Sequence, residues 1–171
     1  MIATTRLVLR NFEPDDVPSV HAYGADPLVT RFMSWGPNKL EDTVRFVETV
    51  VAESKEQPRQ NFNLAVTLRE SGELIGACGL DAAVPKAHFI LGYCLAAPYW
   101  GVGYGTEAVR AMVDFGFGEL GAHRILAHVF TGNLRSQALL KKLAFANVAT
   151  LANHVHIRNE WHNEYEFARD A

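Results

Sequence analysis

The sequence predicts an α+β fold, with one mixed, mostly antiparallel central sheet of about seven strands and helices on both faces. Two β-patterned runs, residues 62–68 and 74–80, are joined by a short polar turn and predict an antiparallel hairpin. A third run, 87–95, is followed by a helical segment and then by the β run 124–130, which is the pattern of a parallel crossover. Residues 146–157 and 161–168 predict a closing pair of strands.

Local signals predict the elements that precede the hairpin. Residues 6–10 place three aliphatic side chains between two arginines and predict a short strand. The acids and proline of 13–16 predict the start of a helix that runs to about Tyr23. The segment 26–38 mixes proline and glycine with large apolar residues and predicts a binding loop or a short bent helix. From Leu40 to about Lys55, apolar residues at helical spacing predict an amphipathic helix.

Glycine and helical spacing predict the second half of the chain. Gly92 stands inside the strand 87–95, where glycine often marks a bulge, so we expect backbone N–H groups to be left unpaired there. Helices are predicted over 108–117 and 134–143, on either side of the strand 124–130. Right-handed crossover then places the segment before the first of these helices at the carboxyl end of the strand 87–95.

Composition excludes several classes of function. The 171 residues, 49% of them hydrophobic, suit one domain over residues 1–171. A net charge of −3 and a sequence pI of about 6.1 provide no basic surface for nucleic acid. No apolar run reaches the roughly 18 residues of a membrane span, and residues 1–10 lack the apolar core of a signal peptide. We therefore expect a cytoplasmic protein without a nucleic-acid or membrane partner.

Cysteine and histidine positions do not predict a metal site. Cys78 and Cys94 both stand in apolar β-patterned segments, so we expect buried thiols. His154 and His156 would share one face of a strand, with His162 nearby, but no further ligand follows at a recognisable spacing. The sequence therefore predicts no metal.

A glycine-rich turn is the most informative local feature. Residues 99–107 read Tyr-Trp-Gly-Val-Gly-Tyr-Gly-Thr-Glu, directly before the helical run 108–117. A Rossmann fingerprint would need glycine at Thr106, and a P-loop would need Gly-Lys-Ser/Thr, which is absent. Two interpretations remain: backbone N–H groups that bind a phosphate-bearing cofactor at a helix N-terminus, or a structural turn.

Beyond the turn, the order of elements and several short motifs resemble the GNAT superfamily of acyl-CoA-dependent N-acyltransferases. Within it, the chain resembles the RimJ/RimL type, which acetylates protein N-terminal amines. The resemblance spans nearly the whole chain, and its most specific part is Tyr-Trp-Gly-x-Gly-Tyr-x-Thr-Glu-Ala at 99–108. The other motifs that carry it are Thr5-Arg6-Leu7-Val8-Leu9-Arg10, Leu91-Gly92-Tyr93, Leu120-Gly121-Ala122-His123-Arg124-Ile125 and Asn133-Leu134-Arg135-Ser136.

The resemblance implies acetyl-CoA as co-substrate. Its pyrophosphate would lie on backbone N–H groups of the turn, and its pantetheine arm would pair with the strand that splays apart nearby. Trp100 stands where many relatives have a cation, which leaves the backbone to bind the phosphates. The implied cofactor-binding residues are Cys94, Leu95, Gly101, Val102, Gly103, Tyr104, Gly105, Thr106, Asn133 and Lys142.

The resemblance also suggests catalytic groups. Ser136 matches the position proposed to protonate the departing thiolate, with Tyr93 and Tyr104 as reserves. A backbone N–H freed around Cys94 or Leu95 would stabilise the oxyanion.

The general base is where this sequence departs from the family pattern. Ile90 stands where many relatives carry a glutamate. We therefore expect water to deprotonate the amine, assisted by His88, which shares a strand face with Ile90, or by a C-terminal residue such as His154.

The acceptor is implied only as an amine. The segment 28–38 and the segment 154–163 would flank the thioester, with Phe32, Trp35 and Trp161 as apolar walls of the substrate site. The family type favours a peptide N-terminal α-amine, with small-molecule amines next. The alternative is a non-catalytic acyl-CoA-binding or sensor module, and either a monomer or a homodimer is expected.

One residue departs from the family at a helix end. Relatives usually have Leu-Gly-Phe where this chain has Leu143-Ala144-Phe145. Glycine there serves a left-handed cap, so alanine predicts a terminus closed in a different way.

Overall fold

The computed structural model describes all residues, Met1–Ala171, and its centre is an eight-stranded sheet. The strands are β1 Ile2–Ala3, β2 Leu7–Arg10, β3 Asn61–Leu68, β4 Leu74–Ala83, β5 His88–Leu95, β6 Arg124–Phe130, β7 Ala146–Ile157 and β8 Glu160–Asp170. Their order in the sheet is β1-β2-β3-β4-β5-β6-β8-β7. Only β5 and β6 pair in parallel, so the predicted mixed, mostly antiparallel α+β sheet is confirmed.

Helices cover both faces of the sheet, each burying one apolar face. The larger core, on one face, takes Val109 and Met112 of α4 (Tyr104–Gly118) and Leu140 of α5 (Leu134–Lys142). The smaller core, on the other face, takes Val20 of α1 (Val17–Gly24) and Val47 of α3 (Leu40–Glu53). None of the helices is both long and apolar enough to cross a membrane. The helices are α1 Val17–Gly24, α2 Pro27–Thr30, α3 Leu40–Glu53, α4 Tyr104–Gly118 and α5 Leu134–Lys142, with 3-10 turns at Pro14–Asp16 and Ala97–Tyr99.

The predicted bulge at Gly92 is wrong. Register between β4 and β5 runs without interruption from Ala83↔His88 through Gly79↔Gly92 to Gly76↔Leu95. The irregularity lies on the opposite edge of β5, where pairing with β6 ends at Ile90↔Leu126. Beyond that pair the two strands separate, and we call the space between them the β5–β6 gap. Unpaired backbone groups therefore arise from separated strands and not from an extra residue.

The C-terminus of α5 ends with a left-handed cap residue, although that residue is Ala144 and not glycine. The prediction that this terminus is closed in a different way is therefore wrong. Ala144 has φ of 63°, and the N–H of Phe145 donates to the carbonyl of Leu140 at 3.0 Å. This is the six-to-one bond of a Schellman motif, with alanine in the position that usually holds glycine. The motif persists because Phe145, which is buried, anchors the chain after the turn.

Replacing Ala144 with glycine is therefore expected to stabilise the protein. The left-handed conformation strains a residue that has a Cβ, by about 1–2 kcal/mol. Part of the gain is offset because glycine has more freedom in the unfolded chain. We expect the free energy of unfolding in urea to rise by about 0.5–1 kcal/mol. Gly72→Ala, at φ of 75° with open space around the Cβ position, should show the opposite sign.

Candidate active site

The glycine turn presents a row of free N–H groups at the start of α4. Gly101 and Gly103 have φ of 80° and 92°, a conformation that residues with a Cβ adopt only under strain. The first helical bond of α4 runs from the N–H of Glu107 to the carbonyl of Gly103 at 3.1 Å. The N–H groups of Val102 and Gly103 have no acceptor within the protein, and those of Tyr104 to Thr106 occupy the first helical turn. These are the five groups predicted to meet an anion.

A carboxylate in the first turn of α4 holds the loop in place. Glu107 accepts from the Thr4 hydroxyl at 2.7 Å, the Arg6 N–H at 2.8 Å and Arg6 Nε at 2.7 Å. Burial disfavours its charge, but these hydrogen bonds outweigh that effect and keep the pKa of Glu107 below its usual value. Arg6 also donates to the carbonyl of Val102 at 3.1 Å and stacks on Tyr104. The charge of Glu107 is thus engaged with Arg6, and the N–H groups remain available.

Beside the glycine turn lies a cation, Arg135, which the sequence analysis did not identify as part of the site. The Arg135 guanidinium lies 5.1 Å from the ring centroid of Trp100, whose indole N–H donates to the carbonyl of Leu95 at 2.7 Å. Trp100 therefore carries a stacked arginine at the position where many relatives have a cation of their own. Lys142 lies at the far end of α5 and is exposed.

The β5–β6 gap leaves backbone groups of β5 without a strand partner. The N–H of Ala96 donates to the carbonyl of Ile75 at 2.8 Å, which fixes the alternation of the β4–β5 ladder. By that alternation, Cys94 directs its N–H toward β4, whereas Tyr93 and Leu95 direct theirs into the gap. The structure thus removes the N–H of Cys94 as a candidate oxyanion donor, keeps that of Leu95 and adds that of Tyr93. Burial raises the pKa of the Cys94 thiol to about 12, so this residue remains a neutral thiol.

Two of the predicted catalytic side chains meet at the gap. Tyr93 Oη lies 2.7 Å from Ser136 Oγ. Ser136 is in the first turn of α5, where its N–H donates to the side chain of the N-cap residue Asn133 at 3.2 Å. Burial raises the pKa of Tyr93, so its phenol keeps its proton at neutral pH. The pair can donate a proton beside the positive end of a helix.

The gap opens into a cavity of about 1020 Å³ on the α1–α3 side of the sheet, which we call the central cavity. Phe32 and Trp35 line it, as do Asn133, Tyr93 and Ser136. Trp161 does not line it; this side chain is 61% exposed and packs on His156. His88 lies outside the cavity as well, at the far end of β5. The structure therefore brings four of the six predicted catalytic and acceptor residues together at the central cavity, but not these two.

An arginine connects two segments of the chain beside the central cavity. Arg158, in the turn between β7 and β8, donates from Nη2 to the carbonyls of Thr30, Trp35 and Gly36 at 2.8, 3.2 and 2.9 Å. The two segments predicted to flank the acceptor are thereby joined. Nothing in the local sequence around Arg158 predicts this contact, because its acceptors are backbone groups more than a hundred residues away.

The C-terminal strands add two imidazole–carboxylate pairs. His154 Nδ1 lies 2.7 Å from Glu164 Oε2, and His128 Nε2 lies 3.1 Å from Glu166 Oε2. The two imidazoles meet edge to face, with centroids 5.4 Å apart. His154, His128 and Glu164 line the central cavity. No cluster of three or more potential ligands is arranged to hold a metal ion.

One further carboxylate of the cavity was missed from the sequence. Asp81 of β4 lies directly opposite Ile90 on β5, so the two side chains share a face of the sheet. Desolvation raises the pKa of the Asp81 carboxyl, and a 3.1 Å hydrogen bond from Asn63 partly offsets that effect. The register of the β4–β5 hairpin reveals this pairing, because it places Asp81 opposite Ile90, the position where many relatives carry glutamate.

The comparisons with known proteins agree along the length of the chain. The model of the "Acetyltransferase (GNAT) domain" family matches residues 6–146. Uncharacterized N-acetyltransferase p20 of Bacillus licheniformis is 30% identical over 172 residues, 96% of this chain and 93% of that protein. A GNAT-family acetyltransferase from Bacillus anthracis is 28% identical with a TM-score of 0.87, over 99% of this chain and 97% of that one. RimL, a ribosomal L7/L12 α-N-protein acetyltransferase in complex with coenzyme A, shares the fold at 16% identity and a TM-score of 0.86, over 98% and 95%.

The residues of the site suit the co-substrate of that family. The free N–H groups of the glycine turn and the guanidinium of Arg135 are suited to phosphate groups, and the β5–β6 gap exposes backbone groups that an amide-bearing arm can pair with. Since the family model covers most of the chain and the relatives match it along its length, this protein belongs to the GNAT family of acetyl-CoA-dependent N-acetyltransferases.

Proposed function

We propose that the acceptor is a primary amine, with a peptide N-terminal α-amine as the first candidate and a small-molecule amine as the second. The observation that carries this proposal is the acidic lining of the central cavity. Asp42, Asp81 and Glu164 contribute carboxylates, against one arginine, Arg45, which lies 3.9 Å from Asp42. Such a surface attracts a cation and disfavours an anionic acceptor.

The shape of the central cavity supports the order of the two candidates. Its volume of about 1020 Å³ exceeds what a simple amine fills, and the exposed Trp35 borders it. The first residues of a peptide would lie against Trp35, while its amine reaches the β5–β6 gap. RimL, which shares the fold, is named as an α-N-protein acetyltransferase.

In the proposed reaction, residues at the gap stabilise the negative charges that develop on the carbonyl oxygen and on the sulfur. When the amine attacks the thioester carbonyl, the N–H of Tyr93 or Leu95 donates to the oxygen that becomes negative. When the carbon–sulfur bond breaks, Ser136 delivers a proton to the sulfur and is resupplied by Tyr93, 2.7 Å away. The N-terminal end of α5 favours the negative sulfur before it is protonated.

The experiment that tests the proposal is acetyl-CoA turnover, measured as free thiol, against a panel of acceptors. Short peptides with free N-termini, the same peptides with blocked N-termini, alkyl amines and polyamines form the panel. Turnover that requires the free α-amine supports the first candidate, and turnover on alkyl amines alone selects the second. Tight coenzyme A binding without thiol release on any acceptor would contradict both and would favour a sensor module.

Gly92 provides a direct test of where the acceptor lies. A Cβ built on Gly92 would meet no atom within 4 Å, and the residue lines the central cavity. Gly92→Val should therefore fold normally but occupy acceptor space, raising KM for the amine about tenfold while leaving KM for acetyl-CoA unchanged. Gly118→Val, which also adds a side chain in open space but outside the cavity, is the control. An unchanged KM for the amine in Gly92→Val would place the acceptor elsewhere.

A further inference from the structure

We propose that His154, held by the carboxylate of Glu164, is the general base that deprotonates the acceptor amine. The inference rests on the proposed function, because it requires an amine acceptor in the central cavity. It names a base for a chain in which Ile90 stands where many relatives carry glutamate. His154 and Glu164 come from adjacent strands, β7 and β8, and both line the cavity.

The orientation of the imidazole suits a base. Glu164 is only 6% exposed, and its oxygen lies 2.7 Å from Nδ1 of His154. A buried carboxylate requires a donor, so Nδ1 carries the proton in the neutral ring and Nε2 keeps its lone pair. No protein group hydrogen-bonds Nε2. The ring is 42% exposed and can meet a ligand in the cavity.

The surrounding charges favour His154 over the other candidates. From β6, His128 meets His154 edge to face, but its Nε2 is engaged with Glu166. From the same cavity, Asp81 of β4 accepts from Asn63, while Asp42 and Arg45 of α3 lie within reach of each other. His154 therefore combines a buried anionic partner, Glu164, with a ring nitrogen, Nε2, that has no hydrogen-bond partner in the protein.

The protons balance as follows. The ammonium form of the acceptor gives one proton to Nε2 of His154, and the neutral amine then forms a bond to the carbonyl carbon. As the carbon–sulfur bond breaks, the nitrogen loses its second proton to water in the cavity, and the sulfur takes one from Ser136. Tyr93 resupplies Ser136, and water in the cavity returns a proton to Tyr93. The imidazolium finally releases its proton to water through the open side of the cavity, so the reaction produces amide, free thiol and one proton.

The test compares two acceptors whose amines differ in basicity. At pH 7 roughly one α-amine in ten is already neutral, whereas an alkyl amine resembling lysine is neutral in roughly one molecule in 2,500. Without a base, only the neutral fraction reacts. We therefore expect His154→Gln to lower kcat/KM about tenfold for a peptide α-amine and at least about a hundredfold for the alkyl amine. The fall of kcat/KM at low pH, which we call the acid limb, should then occur in His154→Gln at the pKa of each acceptor.

Matched variants separate chemistry from structure. His156→Gln, two residues along the same strand and outside the cavity, should leave both acceptors unchanged. Imidazole added to His154→Ala should restore turnover, because it can replace the missing ring. Equal losses for both acceptors in His154→Gln, or an acid limb identical to that of the wild type, would overturn the proposal. An absence of thiol release in the wild type with every amine would instead contradict the proposed function.

Glu164 is inferred to act through His154, as a positioning residue. Glu164→Gln keeps the shape of the side chain but removes the charge that fixes the imidazole. We expect kcat to fall about tenfold while the acid limb of the profile stays the same for both acceptors, in contrast to His154→Gln, where it follows the pKa of each acceptor. If Glu164→Gln instead makes the limb follow the pKa of each acceptor while the protein remains folded by circular dichroism, Glu164 itself is the base and the assignment to His154 is wrong.

Discussion

Tyr93→Phe is expected to lower kcat about a hundredfold, with little change in KM for either substrate. The substitution removes only the phenolic oxygen, which lies 2.7 Å from Ser136 Oγ, and keeps the ring that packs against the larger core. Because burial raises the pKa of Tyr93, the phenol holds its proton until the sulfur departs. Steady-state release of free thiol, at saturating acetyl-CoA and acceptor, measures the effect.

The same experiment distinguishes a shared proton path from two separate roles. If Tyr93 supplies its proton through Ser136, then Ser136→Ala should cost about as much as Tyr93→Phe, and the double variant little more. The loss should be equal for α-amines and alkyl amines, because the departing sulfur does not depend on the acceptor. Tyr165→Phe, which packs against the same core, is the control. A normal kcat in Tyr93→Phe would leave the sulfur to be protonated by solvent.

Sequence was most informative where chemistry is local. Positive φ at Gly101 and Gly103, and the free N–H groups that follow, depend on a few consecutive residues. The parallel crossover from β5 to β6 follows from the order of elements and the known handedness of such connections. Tyr93 and Ser136 are 43 residues apart, and it was the family resemblance, not spacing, that predicted both at one site.

Sequence was least informative where two strands must first be aligned. A separated pair of strands and a bulge both leave N–H groups free, so Gly92 alone did not distinguish them. The pairing of His154 with Glu164 depends on the register of β7 and β8, which shifts between Leu151 and Val155. A shift of one residue exchanges the faces of a strand, and alternation in the sequence does not reveal it.

Asp16→Asn is expected to produce the largest loss of stability among the variants considered, about 3 kcal/mol in the free energy of unfolding. Asp16 is 7% exposed and receives both terminal nitrogens of Arg10, at 2.8 and 2.7 Å, together with the N–H of Glu13 at 2.8 Å. The asparagine amide cannot accept from Arg10 in the same way, so a partly buried guanidinium loses its counter-charge. Urea unfolding at pH 7 measures the loss.

The pH dependence of this effect has a defined sign. Burial disfavours the charged carboxylate, but the bonds from Arg10 and Glu13 outweigh it and lower the pKa of Asp16 in the folded protein. An unfolded aspartate titrates near pH ~3.9. The contribution of Asp16 is therefore complete above that value and is lost as the pH falls through the lower pKa of the folded state. The difference in stability between wild type and Asp16→Asn should accordingly shrink on acidification below about pH 4, and Asp15→Asn, at the exposed neighbouring position, should show neither the loss nor this trend. A constant difference from pH 7 to pH 3 would mean that the pair contributes through packing and not through charge.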